Sequence, residues 1–143
     1  HLLEMLDASG CGAELDLSVL PALPGALEAL RAGIRSTGHP GNAAAVAGRM
    51  DGAEGAPEER LALLLDPQTS GGLLAALPAE RADAALAALG GGGIAAVAIG
   101  RVVAGPPRIR LQPTPPPRRC GHHARVHRDD PAGAGRPVPA AAR

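Results

Sequence analysis

The residue types that could do chemistry fall in three places. Cys120-Gly121-His122-His123, with His127 beyond, offers thiolate and imidazole donors, and His123 and His127 would share a face of a helix. Such donors take Zn²⁺ or Ni²⁺. The flanks are rich in proline and no apolar core surrounds them, so a formed metal site is not expected there. Thr69-Ser70-Gly71-Gly72 joins the end of a helical pattern to an apolar run. Small residues at such a junction can turn successive backbone N–H groups towards an anion. The simpler reading is a tight turn whose glycines let backbone pack closely, and it is preferred. Asp66 could ligate a metal, but one carboxylate ahead of Pro67 is explained as well by the end of a helix.

The remaining candidates read as scaffold. Glu58-Glu59 and the pair Glu80 and Asp83 resemble acid–base partners, yet both sit in first turns of helical patterns, where the macrodipole favours carboxylates. The run Gly90–Gly93 suggests a phosphate loop, but it follows a helix, precedes none and lacks a Lys-Ser/Thr pair. Cys11, beside glycine in an apolar setting, reads as a small buried hydrophobe. Every basic residue is Arg. Without Lys there is no amine for a Schiff base or a Walker-type phosphate contact. The residues themselves therefore assign no catalytic group and no metal ligand.

The elements that position these residues are legible from period and punctuation. Leu2, Leu3, Met5 and Leu6 fall at helical spacing, with a stop at Ser9-Gly10. From Gly12 to Leu17, Ala13, Leu15 and Leu17 alternate with Glu14 and Asp16, the period of a half-buried strand. Pro24-Gly25 leads into a short helix over 26–32, and Gly33 to Gly41 reads as a loop. Asn42 is placed to cap a short helix through Ala47. Gly48 to Ala56 is another loop, and Pro57-Glu58-Glu59 opens a helix to about Leu65, ended by Asp66-Pro67. Gly71 and Gly72 lead into a predicted buried strand, Leu73 to Leu77. Pro78 starts a helix over 79–89, closed by Gly90–Gly93. Ile94 to Val103 reads as a strand with Gly100 as a bulge or break, and Arg108 to Leu111 as a final strand. From Pro113 on, Pro, Arg, His and Gly dominate, and such a segment cannot offset its ordering entropy by burial. The reading is a folded domain over 1–112 and a disordered tail over 113–143, with helices and strands alternating in a layered α/β or α+β arrangement.

Composition sets further bounds. Hydrophobic residues make up 45% of the chain, but Phe, Trp and Tyr are absent. The core must be thin, and the chain is expected to be marginally stable alone. A net charge of zero offers no general attraction to nucleic acid or to an anionic membrane. Two unpaired cysteines fit a reducing cytoplasm. No apolar run approaches the roughly 18 residues needed to span a bilayer. The chain opens at His1 in what reads as the middle of a helix, and it is expected to be a fragment.

One stretch carries more than pattern. Leu63-Leu64-Leu65-Asp66-Pro67-Gln68-Thr69-Ser70-Gly71-Gly72-Leu73-Leu74 resembles, residue for residue, a segment of the selenide, water dikinases (selenophosphate synthetases). His1-Leu2-Leu3-Glu4-Met5 is similar to the later part of a helix in that family. Gly12–Leu17 followed by Leu23-Pro24-Gly25-Ala26 is similar to the strand and turn after it, and Ile99-Gly100-Arg101-Val102-Val103 to a late strand. The matches run in family order over about residues 1–111. Where the family shows a Gly-Gly-Thr loop with an Asn, this chain has Ser36-Thr37-Gly38-His39-Pro40-Gly41-Asn42, keeping only the Asn.

The resemblance implies an α+β fold, layered α/β/α: the carboxy-terminal domain of the superfamily that includes aminoimidazole ribonucleotide synthetase. It implies a parent enzyme that converts ATP, selenide and water to selenophosphate, phosphate and AMP, supplying selenium for selenocysteine and selenouridine. ATP and Mg²⁺ would be cofactors of the parent, a homodimer, and its amino-terminal ATP-binding domain the partner of this one. The reactive Cys or Sec, its Lys and the Mg²⁺-binding aspartates of the family have no counterpart here. This half would be inactive alone and bind neither ATP nor Mg²⁺ tightly, closing the nucleotide cleft instead. Its contact residues would be Thr69, Ser70, Gly71, Gly72 and Asn42. A thiamine-monophosphate kinase-like or aminoimidazole ribonucleotide synthetase-like enzyme, or a stand-alone binding module, are the alternatives.

Overall fold

The computed structural model describes residues 1–68 and 71–112. Along it run α1 (Leu2–Ser9), β1 (Gly12–Leu15), α2 (Ala26–Arg31), α3 (His39–Val46), β2 (Met50–Asp51), α4 (Glu58–Leu64), α5 (Ala82–Gly91), β3 (Gly100–Val103) and β4 (Ile109–Leu111). The four strands form one mixed sheet in the order β2-β4-β1-β3. β4 lies inside it, parallel to β1 and β2, while β3 runs antiparallel to β1 on the outer edge. The fold is α+β, as the mixture of periods predicts.

One sheet face makes the core. α1 forms because its leucines share a side, and it ends where Gly10 turns left-handed, φ 61°, with its N–H on the Leu6 carbonyl. β1 then buries Ala13 and Leu15 and turns Glu14 to the other face. It stops short of the predicted Leu17, because Asp16 accepts the Ser18 N–H at 2.8 Å and starts a 3₁₀ turn over Leu17–Val19. Leu6, Ala13, Leu15, Leu17, Ile109 and Leu111 are buried together, with Leu2 and Leu3 of α1 and Leu61 and Leu64 of α4 against them. All of these are aliphatic, as a chain without Phe, Trp or Tyr requires.

The opposite face carries charge. Across β2, β4, β1 and β3 at one level, Asp51, Arg110, Glu14 and Arg101 alternate in sign. Arg101 reaches one Glu14 oxygen at 2.6 Å and Arg110 reaches the other at 3.1 Å. Asp51 is held by Arg108 at 2.6 Å. Arg101 above all, and then Arg110, hold the Glu14 carboxyl below its ordinary value against the opposing effect of desolvation.

Other expectations change as well. α3 starts at His39, not after Asn42, since Pro40 in its first turn presets a helical φ and lacks an N–H that would go unused there. The loop over 48–56 contains β2, which a long-range pairing with β4 creates, and Gly52 at φ 85° turns the chain where a Cβ would lie 2.8 Å from the Leu111 carbonyl. Leu73–Leu77 forms no strand, and Leu73 is 103% exposed. The run has no β-branched residue and no partner strand among the described residues, so its apolar character alone does not make it one. The strand predicted over Ile94–Val103 shrinks to Gly100–Val103, and Gly100 is a regular member opposite Leu15. A Cβ at Gly100 would collide with the Glu14 carbonyl, so close approach, not a break, explains this glycine. The tail over 113–143, with its Cys120, His122, His123 and His127, lies outside the described residues.

Candidate functional site

The site is assembled at the end of α4. Glu58 and Glu59 occupy the first turn of that helix, as the macrodipole favours, but they also fasten it to α2. Arg31 meets Glu59 at 3.1 Å and Arg35 meets Glu58 at 3.1 Å. Arg35 also donates to the Leu30 carbonyl at 2.6 Å, bringing its cation to the last turn of α2. The Glu59 backbone N–H first, and Arg31 after it, draw the Glu59 carboxyl below its ordinary value, with desolvation opposing.

Beyond Leu64 the chain turns through Asp66-Pro67-Gln68. The Leu65 carbonyl is one of the terminal acceptors that no helical N–H can reach. The Asn42 side-chain amide donates to it at 3.0 Å. Asn42 is therefore not the cap of its own helix, as its place in the sequence predicts. It sits within α3 and caps the end of α4. Gly38, at the start of α3, lies so close to the Pro67 ring that a Cβ there would come within 3.0 Å of Cγ. These two contacts join Gly38 and Asn42 to Leu65 and Pro67, which are distant in sequence, at one place. Gly71 lies against Gln68: a Cβ there would meet the Gln68 Oε1 at 2.5 Å and its Cβ at 3.0 Å. Gly72 is exposed, with open space where a Cβ would stand. Thr69 and Ser70 lie outside the described residues.

Beside this turn is an open cavity of about 310 Å³ between α2 and the end of α4. Ala26, Ala29, Leu30, Ile34 and Leu63 give it apolar walls, and Arg35, Ser36 and Asp66 give it polar ones. Such a recess can seat a small apolar group and orient a polar one. Its guanidinium and carboxylate could orient a polar group there. Among the described residues no three of His, Cys, Asp and Glu converge to hold a metal ion, so no step through Mg²⁺ is derived for them. Cys11 packs half-buried against the core, in keeping with its reading as a small hydrophobe.

Sequence reasoning missed Arg35 and Gly38. Arg35 lies past the end of α2 and the left-handed Gly33, so no helical spacing tied it to Glu58 in the sequence. Gly38 carried no signal either, because its need for a small side chain comes from Pro67, far along the chain.

Comparison with known proteins agrees with this geometry. Residues 1–112 match the family described as AIR synthase related protein, C-terminal domain. The chain is 41% identical over 109 residues to the selenide, water dikinase of Myxococcus xanthus, covering 76% of this chain and 31% of that protein. It is 41% identical over 105 residues to that of Bordetella bronchiseptica, covering 73% and 29% respectively. For that of Escherichia coli K12 the figures are 39% over 103 residues, 72% and 29%. The chain thus spans between 29% and 31% of the length of these curated relatives, in their carboxy-terminal domain. With four-strand sheet, helices and match in agreement, this chain belongs to the AIR synthase related protein, C-terminal domain family.

Proposed function

We propose that the chain is the carboxy-terminal part of a selenide, water dikinase, an ATP-dependent phosphotransferase that forms selenophosphate from selenide, ATP and water. The observation that carries the reading is the unbroken Asp66-Pro67-Gln68-Thr69-Ser70-Gly71-Gly72-Leu73-Leu74 segment, set in a 41% match to an enzyme of that name. Residues 1–112 would be the domain and 113–143 an added tail. Phosphoryl transfer is mostly positioning and charge stabilisation, and the cations and metal for it would come from the amino-terminal part of the parent. No helix among the described residues is long and apolar enough to cross a membrane, and a cytoplasmic homodimer is the setting proposed for the parent.

The role proposed for this part is to wall one side of the nucleotide cleft and keep water out of it. Asn42 holds the Asp66 turn at the Leu65 carbonyl. With Thr69, Ser70, Gly71 and Gly72 it would form the contact surface towards ATP. The chain alone would then bind ATP·Mg²⁺ weakly and turn nothing over. Calorimetric titration of ATP with Mg²⁺ into the purified chain, followed by a phosphate-release assay with selenide, tests this. No saturable heat at micromolar nucleotide and no release is the expected result. Turnover would overthrow the reading. Saturable binding would favour a stand-alone nucleotide-binding module built on the Arg35 cavity.

A further inference from the structure

We propose that the cavity between α2 and the end of α4 binds a small aliphatic amine in its ammonium form. The charges around that cavity do not balance. Arg35, on one wall, is already neutralised, since it meets Glu58 at 3.1 Å and donates to the Leu30 carbonyl at 2.6 Å. Asp66, on another wall, is half-buried, and among the described residues no cation forms an ion pair with it. Asp16 serves its turn by accepting the Ser18 N–H at 2.8 Å. The Asp66 carboxylate accepts no such N–H among the described residues, so a turn does not account for it. Its position makes the imbalance larger. The Asp66 N–H donates to the Leu63 carbonyl at 3.2 Å, which places the residue at the carboxy-terminal end of α4. A helix carries partial negative charge at that end, so a carboxylate is disfavoured there and a cation favoured. α4 has no basic residue in its last turn to supply one.

The walls decide which cation fits. A divalent metal ion needs several oxygen ligands, and among the described residues no three of His, Cys, Asp and Glu converge. An anion is opposed by Asp66, and the guanidinium that would draw it is held by Glu58. A wholly apolar molecule would leave Asp66 without a partner. An ammonium on a short alkyl stem meets each requirement. Its three N–H donors can reach the Asp66 carboxylate and the Ser36 hydroxyl, both on the cavity wall. Its stem can lie on Leu30, Ile34 and Leu63. Ile34 is 65% exposed, so a stem seated there removes apolar surface of both partners from water. A volume of about 310 Å³ is at the small end for ligand sites and suits a small molecule. The chain cannot supply this group from a side chain of its own, because it contains no Lys.

Titration of butylammonium chloride into the full 143-residue chain at neutral pH, followed by amide NMR shifts, tests this. The shifts are expected to saturate with a Kd of about 1 mM and to centre on Ile34, Arg35 and Asp66. 1-Butanol has the stem without the charge, and methylammonium the charge without the stem. Each should bind roughly tenfold more weakly or less. Asp66→Asn should weaken butylammonium by a similar factor with helicity by circular dichroism unchanged. Ile34→Ser, at an exposed position, should weaken it while leaving every charge in place. Glu80→Gln removes a carboxylate outside the cavity and should change nothing. Shifts that rise without saturating overturn the proposal. So does 1-butanol binding as well as butylammonium, or full binding by both Asp66→Asn and Ile34→Ser. No nucleotide or selenide takes part, so this outcome is separate from that of the selenide, water dikinase reading.

Discussion

Leu6 and Leu17 are 2% and 1% exposed, whereas Leu73 and Leu77, in a stretch at least as apolar, are 103% and 54% exposed. The difference lies in their partners. Leu6 and Leu17 meet β1, β4 and α4, elements brought together from both ends of the chain. Among the described elements, α5 packs chiefly against its own 3₁₀ turn over Ala79–Arg81. Helix α5 still forms, because Ala and Leu favour helix through local terms that need no neighbour. A strand has no such independence, since its backbone groups need another strand. One apolar composition therefore gives a helix without a core in one region and a core in the other.

The comparison can be broken by truncation. Leu17→Ala should cost about 2–5 kcal/mol in urea unfolding, the usual range for emptying a buried leucine site. Leu73→Ala should stay within about 0.5 kcal/mol, as exposed substitutions do. Equal costs would mean that the two regions are packed alike.

Two glycines give a smaller contrast. Gly100→Ala drives a methyl into the Glu14 carbonyl and should cost about 1–3 kcal/mol. Gly90→Ala in α5 meets open space and should stabilise by up to about 1 kcal/mol through reduced backbone freedom. Thermal melts of both variants would show shifts of opposite sign.

Acid should affect the packed region through its ion pairs. Arg49 beside Asp7, Arg101 beside Glu14 and Arg108 beside Asp51 each lower the carboxyl pKa below its ordinary value. A carboxylate with a lowered folded-state pKa contributes stability that is fully present above its unfolded-state value. It is lost as pH falls through the folded one. The melting temperature should therefore drop as pH falls below about 4, the ordinary carboxylate range. Glu14→Gln should flatten part of that slope. An unchanged slope would show that the charged row on the sheet does not titrate with folding.

How much of this was legible in the sequence follows the same division. α1, β1, α2, α4 and β4 are marked by their own period and by Gly10, Pro24-Gly25 and Asp66-Pro67, all local signals. β2 is two residues long and exists only through Ile109, so no local pattern announces it. Leu73–Leu77 has the composition of a buried run and lacks the neighbour that would bury it. At the candidate site, Asn42 and the Asp66–Gly72 stretch were singled out by resemblance. The Asn42 amide on the Leu65 carbonyl and Gly38 under Pro67 are tertiary contacts and could not be read from spacing.

The central claim is that this domain serves a selenide, water dikinase. Its most direct test is a chimera in which the stretch of the Escherichia coli K12 relative that matches this chain over 103 residues is replaced by the present sequence. The account predicts a folded protein that keeps the selenide- and water-dependent dikinase activity stated in that relative's name, followed by phosphorus NMR. A chimera that folds and binds ATP as the parent does, yet shows no selenide-dependent product, would contradict it.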